Sequence, residues 1–257
     1  GDALTDADFN VAVGKDALGQ DTLGSTSTAI GHSALAVQNF TTATSTFNTA
    51  VGFSAGNVLT TGTSNTLLGA RSGDALTTGS LNVAVGLDAL TTDTAGNRST
   101  AIGLNALQTQ NFSTSTLVYN TAVGYEAGKN VTTGLQNTLI GGLVGDALSD
   151  ADNNTAIGYQ SLTADTLGSK STAVGTFSLN VQNFTTATDS QNTAIGYAAG
   201  GAVSTGTLNT LIGSLAGDAL NVGGSNVSLG YFSLTADTKG SKSVAIGTAA
   251  LGDQNFT

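Results

Sequence analysis

The sequence predicts an all-β fold, a parallel β-solenoid or β-roll of 14 stacked rungs. Three observations predict it. Glycines recur along the whole chain at Gly14, Gly31, Gly52, Gly69, Gly86, Gly103, Gly124, Gly141, Gly158, Gly175, Gly196, Gly213, Gly230 and Gly247, at steps of 17, 21, 17 and 17 residues that then repeat. The residues before each of these timing glycines alternate with a period of two. Proline is absent from all 257 residues, as suits strands that use nearly every backbone N–H in a ladder. A period this regular marks stacked units, each needing only its neighbours.

The four steps form one 72-residue set, giving full sets at 1–72, 73–144 and 145–216 and a partial one at 217–257. The chain is expected to be one continuous array. Gly1-Asp2-Ala3-Leu4 recurs at Gly73, Gly145 and Gly217, and Gln254-Asn255-Phe256 recurs at Gln38, Gln110 and Gln182. Both ends thus fall inside the repeat, and the sequence is expected to be a window on a longer chain.

Each rung has the same grammar. Four residues before the timing glycine stands Asn, in ten rungs, or Ser, in the other four (Ser27, Ser99, Ser171, Ser243). Thr or Val follows, then usually Ala, then Val, Ile or Leu. This segment reads as a short strand in which Thr49 and Val51 face one way and Ala50 the other. Both sides are apolar or nearly so, which predicts cover on both. The glycine then supplies a backbone shape that a Cβ forbids, or admits a close neighbour. Stacked Asn side chains are expected to bond amide to amide along the axis. Helix is not expected, because 3.6-residue periodicity is missing and Gly, Thr and Asn are poor helix formers. Rungs about 4.8 Å apart would make a set about 19 Å tall. Each 21-residue step adds four residues after Phe40, Phe112 and Phe184, and these are expected to bulge outward.

The composition narrows the function. Hydrophobic residues make up 39% of the chain but are mostly small aliphatics, and Trp, Met and Cys are absent, so the interior is expected to be narrow and free of disulfide or thiol chemistry. Net charge is −10 with only seven Lys and Arg, which argues against nucleic acid and against a basic membrane patch. No apolar run approaches the ~20 residues of a membrane span, so no membrane insertion is expected within this segment. Asp supplies every acid but Glu126, and Asp favours turns, so the acids are expected at corners.

Candidate sites are few. His32 is the one histidine, and Leu104, Thr176 and Thr248 occupy its place in other sets, so no Ser/His/Asp arrangement can recur. Asp6 and Asp8, like Asp150 and Asp152, form Asp-x-Asp runs that could offer oxygens to Ca²⁺. Thr78 and Ser80, or Val222 and Gly224, fill those slots elsewhere, and turn capping is the better reading. Asp93 with Arg98, Asp165 with Lys170 and Asp237 with Lys242 keep one spacing across a turn and read as exposed pairs worth ~0–1 kcal/mol each. Phe53, Tyr125, Tyr159, Tyr197 and Tyr231 follow timing glycines, as a stacked column or as platforms for sugar rings. No catalytic, cofactor-binding or metal-ligating residue is assigned, no cofactor is expected, and the chain does not read as an enzyme.

The segments Ser243-Val244-Ala245-Ile246-Gly247-Thr248-Ala249-Ala250 and Asn192-Thr193-Ala194-Ile195-Gly196-Tyr197-Ala198-Ala199 carry a resemblance. Their pattern, present in all 14 rungs, resembles the head repeats of trimeric autotransporter adhesins, the YadA-like β-roll. It is similar to repeats in phage and viral tail fibres as well. The resemblance implies a left-handed roll, a homotrimer and a role in attachment. Strands apolar on both faces, with small Ala on one, also fit a chain that packs inward on itself and sideways on copies of itself. The expected function is that of a non-enzymatic structural or adhesive fibre protein. It would be an extended extracellular filament at the cell surface, or a virion tail-fibre shaft, that meets a cell-surface or glycan receptor. The alternative is an ice-binding or glycan-binding solenoid surface. The ice reading looks to Thr42-Ala43-Thr44 and Thr186-Ala187-Thr188, which lie in the bulged stretch rather than on every rung.

Overall fold

The structure, a computed structural model, describes residues 1–256. They form a parallel β-solenoid with no helix, in two compact units, Gly1–Glu126 and Ala127–Thr257. The first unit has seven three-residue strands: Val11–Val13, Thr28–Ile30, Thr49–Val51, Thr66–Leu68, Val83–Val85, Thr100–Ile102 and Thr121–Val123. The second has seven more: Thr138–Ile140, Thr155–Ile157, Thr172–Val174, Thr193–Ile195, Thr210–Ile212, Val227–Leu229 and Val244–Ile246. Within each unit, successive strands pair in parallel and in register. Thr28 lies beside Thr49 and Thr49 beside Thr66 in the first. In the second, Thr172 lies beside Thr193 and Thr193 beside Thr210.

The strands are short because the chain must turn. The turn after Gly175 has left-handed backbone at Phe177 (φ 60°) and Leu179 (φ 47°). Non-glycine residues resist this region by roughly 1–2 kcal/mol each. They are held there by the ladder, since Phe177 N–H donates to the Tyr159 carbonyl (3.1 Å) and Leu179 N–H to the Ala199 carbonyl (3.1 Å). The timing glycine sits in a shape of its own. Gly175 has φ 132°, and a Cβ there would lie 2.3 Å from the Gly196 oxygen. Both readings of this glycine therefore apply together.

The bulges take the expected form. Thr41, Thr42 and Ala43 are exposed, and Phe40 tucks inward behind them. The chain then rejoins the stack as a second short parallel pair, Gly24–Ser25 with Thr44–Ser45. The same pair forms at Gly96–Asn97 with Thr116–Leu117 and at Gly168–Ser169 with Thr188–Asp189.

The core explains why four rungs make a set. In every three-residue strand but Val11–Val13, where Ala12 is exposed, the middle residue points inward and is buried, as with Ala29, Ala50 and Leu67 in the first unit and Leu139, Ala156, Ala173, Ala194 and Leu211 in the second. Where that residue is Ala in the first two rungs of a set, Leu18 and Leu35 fill the centre from the far side. Where it is Leu139, the far side is Gly145, and a Cβ there would lie 2.9 Å from Leu139 Cδ2. Side-chain volume moves from one wall to the other and the interior stays filled. Leu139→Ala should therefore open a cavity that the facing glycine cannot close, and cost about 3–5 kcal/mol. A urea titration of the variant against the parent chain checks this, and a midpoint shift too small for 1 kcal/mol would contradict it.

Candidate functional site

Among the described residues every buried side-chain nitrogen and oxygen has a hydrogen-bond partner, so the polar interior is structural in its first duty. Asn154 shows the common unit. Its Oδ1 accepts the Ser171 backbone N–H (2.8 Å) and its Nδ2 donates to the Gly168 carbonyl (2.9 Å). Asn209 does the same with Asn226 N–H (3.0 Å) and the Gly223 carbonyl (2.9 Å). The side chain thus clamps its own rung closed and caps the next. The expected amide-to-amide bonding occurs on some rungs beside these clamps. Direct bonds of that kind join Asn65 to Asn48 (3.3 Å) and Asn226 to Asn209 (3.1 Å). In both, the same Nδ2 also donates to a buried backbone carbonyl, that of Gly79 or Gly240.

Where Ser replaces Asn, a larger hub forms. In the second unit Asn192 Nδ2 donates to Gln182 Oε1 (2.8 Å), and Gln182 Nε2 donates to Asp165 Oδ2 (2.6 Å) and Ser171 Oγ (2.8 Å). Asp165 Oδ1 accepts the backbone N–H groups of Gly168 and Phe184, both at 3.0 Å. Asp93, Gln110, Ser99 and Asn120 repeat this arrangement, as do Asp21, Gln38, Ser27 and Asn48. Burial pushes the Asp93 and Asp165 carboxyls above the usual carboxylate range, against the pull of those hydrogen bonds.

This corrects the exposed pairs. Asp93, Asp165 and Asp237 are fully buried, and their carboxylates bind Gln110, Gln182 and Gln254. Arg98 instead donates to the Tyr119 hydroxyl (2.5 Å) and lies over its ring, and Lys170 pairs with Asp189 (2.5 Å). A cross-rung ion pair forms where it was not sought, with Arg71 Nε and Nη2 each 2.6 Å from Asp88. The constant 17-residue offset from Asp21 to Gln38, Asp93 to Gln110 and Asp165 to Gln182 was the signal for the hubs.

Other candidate residues stay apart from one another. His32 is exposed, stacked on Phe53 (5.5 Å, 12°), with Nδ1 3.0 Å from Ser33 Oγ. Asp150 Oδ1 accepts the Thr133 hydroxyl (2.7 Å) and Asp152 Oδ1 the Leu135 N–H (2.7 Å), both across one rung. Three or more His, Cys, Asp or Glu side chains placed to share a metal do not occur among the described residues.

Two surfaces remain. The first is the outward side of the strands. In the second unit Thr155, Thr172, Thr193 and Thr210 form one row, and Ile157, Val174, Ile195 and Ile212 form the next, each in register. Ile157 and Ile195 are more than a third exposed. Thr, half-buried, therefore occupies successive rungs of this sheet face, while Thr42 and Thr186 of the bulges are exposed. Alternation of side chains along a three-residue strand is the cause. The second surface is the corner just after the timing glycine, where Tyr159, Tyr197 and Tyr231 project. No family model matches the chain, and no curated protein or solved structure is similar to it.

Proposed function

We propose that this chain is a non-enzymatic structural and adhesive repeat. It would act as the shaft or head of an extracellular filament or virion tail fibre and associate with copies of itself as a homotrimer. In this reading the rungs are left-handed layers of 17 or 21 residues in 72-residue sets. The observation that supports it most is the outward strand face, where aliphatic side chains stand in register on successive rungs, Ile157 and Ile195 exposed and Val174 and Ile212 half-buried. A continuous apolar strip of that kind marks an interface. Three copies laid side by side would cover it, and the surfaces left outside would meet a cell-surface or glycan receptor.

Light scattering and native mass spectrometry on the whole chain test the reading. Three chains per particle are expected, and a soluble folded monomer would end the trimer. Ile157→Lys combined with Ile195→Lys should release monomers, since a buried unpaired charge at each site opposes assembly. Circular dichroism should keep its strand signal, because both side chains point away from the core.

A second reading draws on the same face. Thr172, Thr193 and Thr210 repeat at about 4.8 Å beside a row of methyl-bearing side chains, an array suited to ordering water as ice does. Thermal hysteresis in dilute solution supports this reading, and its absence removes it.

A further inference from the structure

In the second unit the residue after the timing glycine alternates in size from rung to rung. Tyr159, Tyr197 and Tyr231 stand on alternate rungs, with Thr176 and Ser214 between them. The corner is itself a ladder that holds these positions in one column. Phe177 N–H donates to the Tyr159 carbonyl (3.1 Å), Ala198 N–H to the Thr176 carbonyl (2.9 Å), Leu215 N–H to the Tyr197 carbonyl (2.9 Å) and Phe232 N–H to the Ser214 carbonyl (3.2 Å). Tyrosines two rungs apart are therefore separated by about 9.6 Å along the stack.

The rings are exposed and braced. Tyr159, Tyr197 and Tyr231 are 48%, 54% and 51% exposed. Phe177, on the rung between, sits edge-on to both Tyr159 (5.7 Å, 75°) and Tyr197 (6.1 Å, 79°). Tyr231 rests edge-on against Phe232 (4.3 Å, 80°). Such edge-to-face contacts fix ring orientation, so little rotamer freedom is left to lose on binding. The three residues that follow each timing glycine from Gly158 to Gly230 include no Asp, Glu, Lys, Arg or His. On a chain of net charge −10, this strip is locally neutral.

We propose that the Tyr159–Tyr197–Tyr231 column is a binding site for a neutral, extended, β-linked polysaccharide lying along the stack. A pyranose ring offers a face of C–H groups to an aromatic ring and hydroxyls at its edge. One disaccharide of an extended β-linked chain is about as long as two rungs, so every second sugar meets a tyrosine. Gln160, Thr176 and Ser214 supply hydrogen bonds at the ring edges. The charge selects against polyanions, which the acidic chain repels. Three stacks on one polymer act together, because once one sugar is seated the next is already close to its ring. The proposal names the ligand for the attachment role above and rests on that role for its purpose, while its geometry is independent of the trimer.

Affinity electrophoresis of the whole chain tests it in gels containing hydroxyethylcellulose, xyloglucan or galactomannan, with dextran as the flexible α-linked control and alginate as the anionic one. Retardation by at least one of the first three and by neither control is expected. The triple variant Tyr159→Ala/Tyr197→Ala/Tyr231→Ala should bind about tenfold more weakly or worse, with melting temperature and light-scattering mass unchanged, and Tyr197→Phe should bind like the parent. No retardation in the three neutral gels overturns the proposal, as does equal retardation by alginate or unchanged binding by the triple variant. A fall in the variant's particle mass overturns it too, because the column would then be a contact between copies. A monomeric parent that still binds through the tyrosines removes the trimer and leaves the site standing.

Discussion

Gly141→Ala is expected to destabilise the second unit by about 3 kcal/mol or more, whereas Gly142→Ala beside it changes stability by less than about 1 kcal/mol. The two differ in backbone shape and in what surrounds them. Gly141 has φ 142°, and its Cβ would stand 2.5 Å from the Gly158 oxygen, a backbone atom tied into the next rung. Gly141 cannot retreat, since the Gly158 N–H bonds the Ile140 carbonyl at 2.8 Å. A Cβ on Gly142 would meet only Tyr159 Cδ2, at 3.6 Å, which is ordinary contact. Thermal and urea melting of both variants, followed by circular dichroism, gives the comparison. Equal stabilities would mean that the rungs are further apart than the parallel ladder requires, and the stacked architecture would have to be abandoned.

Asp165→Leu is expected to cost about 3–5 kcal/mol, because it strands the N–H groups of Gly168 and Phe184 and the amide of Gln182 inside the protein at about 1–3 kcal/mol for each buried donor. Asp165→Asn should cost less, since one amide oxygen still accepts. The pair also reports on pH. Burial raises the folded carboxyl above its unfolded value, so the folded chain holds the proton more tightly than the unfolded one. The resulting contribution to stability is fully present below the unfolded value, near 3.9, and is lost as pH rises through the folded value. Acidification from pH 7 towards 4 should therefore raise the melting temperature, and Asp165→Asn should flatten that rise. A melting temperature that falls on acidification by the same amount in both chains would show that the hub carboxylate is not held as described.

The strands, their parallel order and the place of the bulges were legible because each depends on residues close together in sequence. The alternation in Thr49-Ala50-Val51 is local, and so is the glycine that ends it. The hubs were not legible in that way. Asp165 sits three residues before Gly168 and five before Lys170, which looks like an exposed turn with its counter-ion. Its real partner, Gln182, is one whole rung away and shows only when the sequence is aligned rung on rung. The outward Thr rows were legible in the same local way, since Thr172, Thr193 and Thr210 each open a strand. The exchange between Leu139 and Gly145 was visible as two separate preferences. It became one fact only when the structure put them on opposite walls.

The Asn clamps have a direction. Asn154 Oδ1 receives the N–H of Ser171, and Asn209 Oδ1 that of Asn226, so in each case the acceptor precedes its donor in the chain. A polypeptide that emerges from its amino end presents each of these amide oxygens before the N–H that it will accept, while the Nδ2 of the same Asn waits for a carbonyl 14 residues on. Each completed turn is a seed for its successor, and growth never has to wait for distant residues. A molecule wired in this order can be lengthened by whole sets without rewriting its folding route.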